Sequence, residues 1–207
     1  PCHTVPPRRS SDLGTSIPAD YRIVNKAGSY TWVRALSKAI KDDKNRIIGL
    51  RGVVSNITET KLVQEELRSS ESLFRNLMEQ SPLAIAILTP DGQITDVNSA
   101  WMRAWGINEE EKSELFEKYN FLTDKEAEAH GVMPLIKRAF AGESVVLPPM
   151  EYVSKNTINN LGLDQMNPNT VWIQCHITPV KNENHESEYV LVTNVDITEL
   201  KKLEEEA

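Results

Sequence analysis

At 207 residues, with 40% hydrophobic and 26% charged side chains, the chain has room for one large domain or two small ones and an ordinary globular composition. A net charge of −7 without a clustered basic stripe excludes a nucleic-acid surface. The longest apolar run, Leu83 to Leu88, is far short of the roughly 20 residues a bilayer span needs, and no secretory signal opens the chain. Cys2 and Cys175 make no disulfide framework, and the sequon at Asn56-Ile57-Thr58 is a match of pattern only. The expectation is a reducing, cytoplasmic setting with no membrane contact by this segment, which leaves open an anchor elsewhere in a longer parent protein.

Residues 1–20, rich in Pro, Ser and Arg and lacking an initiating Met or an apolar period, read as disordered or non-native. Three antiparallel strands in hairpin order follow, over 21–24, 29–40 and 46–55. Three strands with nothing ahead to cover one face are marginal, so residues 21–57 are expected to be the end of a domain truncated on its N-terminal side.

From Asn56 to Gln80 the pattern is helical, with 58–80 as a linker. Thr58, like Thr198 at the start of the C-terminal helix, is expected to act as a cap, its hydroxyl meeting free amides of the first turn for about 1 kcal/mol. Val63, Leu67, Phe74, Leu77 and Ser81 repeat at spacings of three and four, interrupted by Ser70, with Glu65, Glu66, Arg68 and Glu71 outside. Two readings fit this seam: a solvated spacer packed on its own domain, or a parallel dimeric coiled coil.

The junction then recurs. Trp32 and Trp172 (172 − 32), like Asn56 and Asp196 (196 − 56), are 140 residues apart, and in that register Ile57 meets Ile197, Thr58 meets Thr198 and Lys61 meets Lys201. Two copies of one module account for this.

The second copy, 81–198, is whole. Leu83 to Leu88 is a strand, Thr89-Pro-Asp-Gly92 a turn and Gln93 to Val97 the returning strand. Asn98 is placed to cap a helix carrying Ala100, Trp101, Ala104 and Trp105, which Gly106 ends. The Glu-rich stretch 109–128 reads as irregular or weakly helical, anchored only by Leu115, Phe116, Phe121 and Leu122. A helix from Met133 to Phe140 follows, with Met133, Ile136 and Phe140 on one face. Strands over 145–152, 170–178 and 188–195 flank a polar loop at 155–169, and 199–207 starts an output helix. The class is α+β, one antiparallel sheet covered on one face by helices.

These residues resemble a PAS sensory domain preceded by the C-terminal part of another. The carriers are Thr89-Pro-Asp-Gly92, Asp96-Val-Asn-Ser-Ala100, Ala141-Gly-Glu143, Trp172 and Asp196-Ile-Thr-Glu199, and in the truncated copy Tyr21-Arg-Ile-Val24, Gly28-Ser-Tyr-Thr-Trp-Val33 and Asn56-Ile-Thr-Glu59. The resemblance implies a five-stranded antiparallel sheet and a helical side around a small pocket, serving as a sensory and dimerisation segment of a signalling protein. It further implies that the strand-to-helix junctions, Asp196, Ile197 and Thr198 and upstream Asn56, Ile57 and Thr58, pass the signal to a C-terminal output domain, most often that of a sensor histidine kinase. The truncated copy departs from the pattern, with Asn56 where an Asp is usual, so a charge-dependent contact survives only at Asp196. Two alternatives stay open: a sensor for a diguanylate cyclase or phosphodiesterase, and a structural module that only forms homodimers through its linker helices.

No nucleophile, base or metal constellation is present, nor a phosphorylatable-His motif or nucleotide box, so no catalytic site is expected in this segment. His3, His130, His176 and His185 are widely separated, and Cys175 and His176 point to opposite faces of a strand. No cofactor is required. A flavin photoreceptor of the family needs a reactive Cys after Gly106, which is missing, whereas a haem-binding member takes a ligand near the long helix, where His130 is the candidate against a plain solvated helix end. Trp101, Trp105, Met133, Ile136, Phe140 and Cys175 could line a pocket for a small organic ligand, with Gln174 or His176 adding polarity if that strand face turns inward; the alternative is ordinary core packing. Cys175 as a redox sensor stands against an inert strand cysteine.

Overall fold

The computed structural model describes residues 18–24, 28–163 and 170–206. Cys2, His3 and most of the stretch 1–20 expected to be disordered lie outside that range, but its last residues correct the expectation, since Ala19 and Asp20 open the first strand. Two compact units meet in sequence at Leu73 and Phe74, within a single long helix.

In the first unit β1 (Ala19–Val24), β2 (Tyr30–Lys41) and β3 (Ile47–Asn56) form an antiparallel sheet in the order β1-β2-β3. Arg34 and Lys61 converge on Asp20 at 2.7 and 3.0 Å, and the hydrogen bond to Arg34 leads in holding its carboxyl well below the usual range. Val33 is buried, while Ile48, Leu50, Val53 and Val54 are exposed. Helix α1 (Thr58–Gln80) buries only Met78. Val63, Leu67, Phe74 and Leu77 are 60%, 59%, 58% and 65% exposed, so the seam of this helix is uncovered in the single chain.

The second unit runs β4 (Ala84–Leu88), β5 (Ile94–Val97), α2 (Ser99–Trp105), α3 (Glu109–Lys118), α4 (Lys125–Ala129), α5 (Met133–Phe140), β6 (Val145–Val146), β7 (Met150–Val153), α6 (Ser154–Asn160), β8 (Thr170–Lys181), β9 (Ser187–Asp196) and α7 (Thr198–Glu205). The sheet is antiparallel in the order β5-β4-β9-β8-β6, with β7 also on β8. It is the α+β sheet of five lanes, the last lane shared by two short strands. The single strand expected over 145–152 is broken because Pro148 and Pro149 carry no amide to donate.

Two further expectations are corrected. The Glu-rich stretch is ordered: Asn108 and Glu111 form a reciprocal capping box at the start of α3, and Asp124 caps α4. The polar loop at 155–169 contains α6 in its described part.

Alternation along the strands puts Ala84, Ala86, Leu88, Ile173, Cys175, Ile177, Val190 and Val192 on the covered face. Trp101, Trp105, Ile136 and Ala139 join them in one core. Gln174 and His176 are on the other face, so neither supplies polarity to the interior.

A buried polar cavity and two equivalent strand-to-helix junctions

Between the covered face and the helices lies a cavity with about 20 Å³ open to the centre of a water molecule, room for little more than one water. Four of the six residues expected at a pocket line it: Trp101, Trp105, Ile136 and Cys175. Met133 and Phe140 instead pack on the core from outside, Phe140 stacking on Phe121 with ring centroids 6.0 Å apart. Trp101 and Trp105, one helical turn apart on α2, stack at 5.0 Å with planes 4° from parallel, and Trp105 leans on Tyr152 at 5.5 Å.

The polar end was not foreseen from the residue pattern. Asp124, 4% exposed, caps α4 by accepting at Oδ1 from the amides of Glu126 (2.8 Å) and Ala127 (3.3 Å). Its Oδ2 accepts from the Tyr119 hydroxyl at 2.7 Å and the Tyr152 hydroxyl at 2.6 Å. A buried carboxylate without compensation costs several kcal/mol, and four donors to one charge offset it. Burial first, and then the Asp124 charge, push both tyrosines well above their usual range, so each hydroxyl stays protonated and donates. Asp124 and Tyr119 sit where the chain reads as an irregular acidic stretch. The available signal was the Asp-x-x-Ala spacing of a cap, which resembles many surface caps.

His130 ends α4 on the surface, its Nε2 3.7 Å from Glu126, and does not line the cavity. A haem would need both an inward ligand and far more room, and a flavin more room as well, so the residues present fit neither group. Burial pushes the Cys175 thiol up to about 12, which keeps it protonated and removes the thiolate a redox sensor needs.

Asn98 is fully buried and makes four hydrogen bonds. Its Oδ1 accepts from the amides of Ile85 and Trp101, both at 2.9 Å, and its Nδ2 donates to the carbonyls of Met78 (2.9 Å) and Leu83 (2.8 Å). It is the expected cap of α2, and it also ties the last turn of α1 to β4. Beside it Glu79 accepts from the amide of Ser99 at 3.1 Å and from its hydroxyl, bonds that lower the Glu79 carboxyl from its ordinary value.

The two junctions share their main hydrogen bonds. The Ile57 and Ile197 amides donate to the Trp32 and Trp172 carbonyls, both at 2.8 Å. The amides of those tryptophans donate to Thr58 Oγ1 (2.9 Å) and Thr198 Oγ1 (3.0 Å). This corrects the expected role of the threonines: their hydroxyls face back to the sheet and do not cap the first turn. The helix entry is held by the residue two earlier, Asn56 or Asp196, whose Oδ1 accepts from the threonine amide at 2.9 Å in each copy. Since the neutral amide accepts this bond at the same distance as the carboxylate, the departure at Asn56 removes no contact here. Lys61 and Lys201 then cover the Trp32 and Trp172 rings at 5.4 and 5.5 Å.

A family model described as PAS fold matches residues 78–202, more than half of the chain. The chain belongs to the PAS fold family. A second PAS-fold model matches residues 9–54, upstream of the first. Among curated proteins, the sensor protein FixL of Bradyrhizobium diazoefficiens is 27% identical over 102 residues, 49% of this chain and 20% of FixL. The uncharacterized protein y4lL of Sinorhizobium fredii is 22% identical over 103 residues, 50% of this chain and 12% of that protein. The chain thus matches no more than a fifth of either curated relative. Among solved structures, the PAS domain of an HTR-like protein from Haloarcula marismortui is 20% identical, covering 66% of this chain and 99% of that one, with a TM-score of 0.44. A domain of a sensory box sensor histidine kinase/response regulator from Geobacter sulfurreducens is 16% identical, covering 63% and 96%, also with a TM-score of 0.44. The chain carries a PAS sensory domain resembling those of sensor proteins.

Proposed function

We propose that this PAS segment is a sensory and dimerisation unit that relays a signal through its linker helices to an output domain, that of a sensor histidine kinase in a phosphorelay. The observation that carries the reading is the junction, where Asp196, Ile197 and Thr198 bind α7 to β8 and Asn56, Ile57 and Thr58 bind α1 to β2 with the same bonds. A displacement of the sheet therefore moves the helix that follows it. A ligand or partner shifts such an equilibrium only by its differential affinity, about 1.4 kcal/mol for a factor of ten. The likeness to FixL supports the sensor part of the reading and leaves the output domain as proposed.

The test is Thr198→Ala in the full-length parent protein, with autophosphorylation as the readout. Stimulated and unstimulated rates are expected to converge, while Thr198→Ser keeps them apart. Equal stimulation of Thr198→Ala and wild type counts against the relay. A second reading, a structural module that takes no organic ligand, is favoured by the cavity of about 20 Å³, since organic-ligand sites typically run from roughly 300 Å³.

A further inference from the structure

A second and larger space opens beside the C-terminal junction. It is a cleft of about 300 Å³, at the lower end of the range for organic-ligand sites, whereas the inner cavity holds about 20 Å³. The sheet contributes Ala84, Ile173 and Asn194 to its wall. Helix α2 contributes Ala100 and Ala104, which are four residues apart and so share one side of the helix. Small side chains on both layers leave the space open. Trp105, Ile173 and Asn194 line the cleft and the inner cavity alike.

Among the described residues that line the cleft, two are charged, and they have opposite signs on different layers. Arg103 is on α2 between the two alanines, and Asp196 is the last residue of β9. Asp196 lies two residues beyond the buried Asn194, so it is directed to the same, helical side of the sheet. Its Oδ1 accepts from the Thr198 amide at 2.9 Å, and its second oxygen takes no part in that bond. The bond needs no charge, because Asn56 makes it at the same distance in the first unit. The negative charge at 196 is therefore available to a cation without loss of the junction. Arg103 has a contact of its own, and its five N–H donors are more than a single partner takes up.

A body that satisfies this wall carries a cation and a carboxylate a short distance apart and an apolar part to set against Ala100, Ala104 and Trp105. A simple amine or a simple acid meets only one of the two charges. We propose that the cleft binds a free α-amino acid with a small apolar side chain, its ammonium on Asp196 and its carboxylate on Arg103. Such a ligand ties α2 to the end of β9, at the residue that holds the entry of α7. The site gives the sensory reading its ligand class and rests on that reading only for its use in signalling. Binding is measurable without any output.

The experiment is isothermal titration calorimetry of the full chain at neutral pH with L-alanine, L-valine and L-leucine. Isobutylamine and 3-methylbutanoate, which each keep one of the two charges of valine, are the controls. The expected result is saturable binding of at least one of the amino acids, with both controls at least tenfold weaker. Asp196→Asn keeps the cap bond that Asn56 makes, and it is expected to weaken binding at least tenfold. Arg103→Gln, an exposed substitution on α2, is expected to do the same and keeps the test decisive if Asp196→Asn does not fold. No saturable binding by any of the three amino acids, equal binding by either control, or undiminished binding by either folded variant overturns the site. Binding that leaves autophosphorylation of the parent protein unchanged retains the site and counts against the relay. A relay that responds without such binding retains the relay and loses the site.

Discussion

The Trp172 amide donates to the Thr198 hydroxyl at 3.0 Å, so the first residue of α7 is bound to the strand next to the one it leaves. Replacing Thr198 with Ala leaves a half-buried amide without its partner, a loss of about 1 kcal/mol. Thr198→Ser is expected to restore most of it. Urea unfolding of the three proteins checks this, and equal midpoints for wild type and Thr198→Ala would show the bond to be idle.

Asn98 carries more. Asn98→Ala removes four bonds at a site with no access to water, and at about 1 kcal/mol or more each the loss exceeds about 3 kcal/mol. For a unit of this size that lowers the midpoint by roughly 10 °C. Asn98→Asp is expected to be no better despite its matching shape, because it sets a carboxylate oxygen against the Met78 and Leu83 carbonyls. Calorimetry of both variants decides.

The two buried tyrosines predict an alkaline limit. Their native pKa values are raised above the unfolded value of about 10, so their contribution is fully present below that pH and is lost as pH climbs above it. Stability measured across this range is expected to fall with a shallower slope in Tyr119→Phe, which has one fewer titrating group. A slope unchanged by the substitution goes against the assignment.

Cys175, with its thiol at about 12 and 2% exposure, is expected to resist alkylation in the native protein at pH 8 and to react on unfolding. Mass mapping of iodoacetamide-treated protein at Cys175 tests this. Rapid native labelling would reopen a redox role.

The exposed stripe on α1 predicts self-association. A Leu67→Glu, Phe74→Glu pair puts charge on two of its apolar positions and is expected to convert a dimer to a monomer in sedimentation equilibrium. A wild-type chain that is monomeric at high concentration removes the dimeric reading.

Local chemistry made much of this protein legible. Asn98 and Gly106 bound α2 as their residue types require, with Gly106 at φ 67, and the 140-residue repeat carries over into pairing: Val33 faces Asn56 as Ile173 faces Asp196. These features depend on neighbours in sequence or on an internal copy, both visible in one dimension. The threonines were misread for the same reason. A hydroxyl beside a helix start looks like a cap, and only the adjacent strand shows that its partner is a tryptophan amide 26 residues away.

The sequence by itself determined most of the strands, the helices α1, α2 and α5, the duplicated junction, the α+β class and the aromatic pair on α2. The tertiary structure alone decided which face of β8 is buried, that Met133 and Phe140 lie outside the cavity wall, and that Asp124 meets Tyr119 and Tyr152. The reason is separation along the chain. Tyr152 is 28 residues beyond Asp124, and no periodicity within either segment encodes that a carboxylate on one and a hydroxyl on the other will share a buried hydrogen bond.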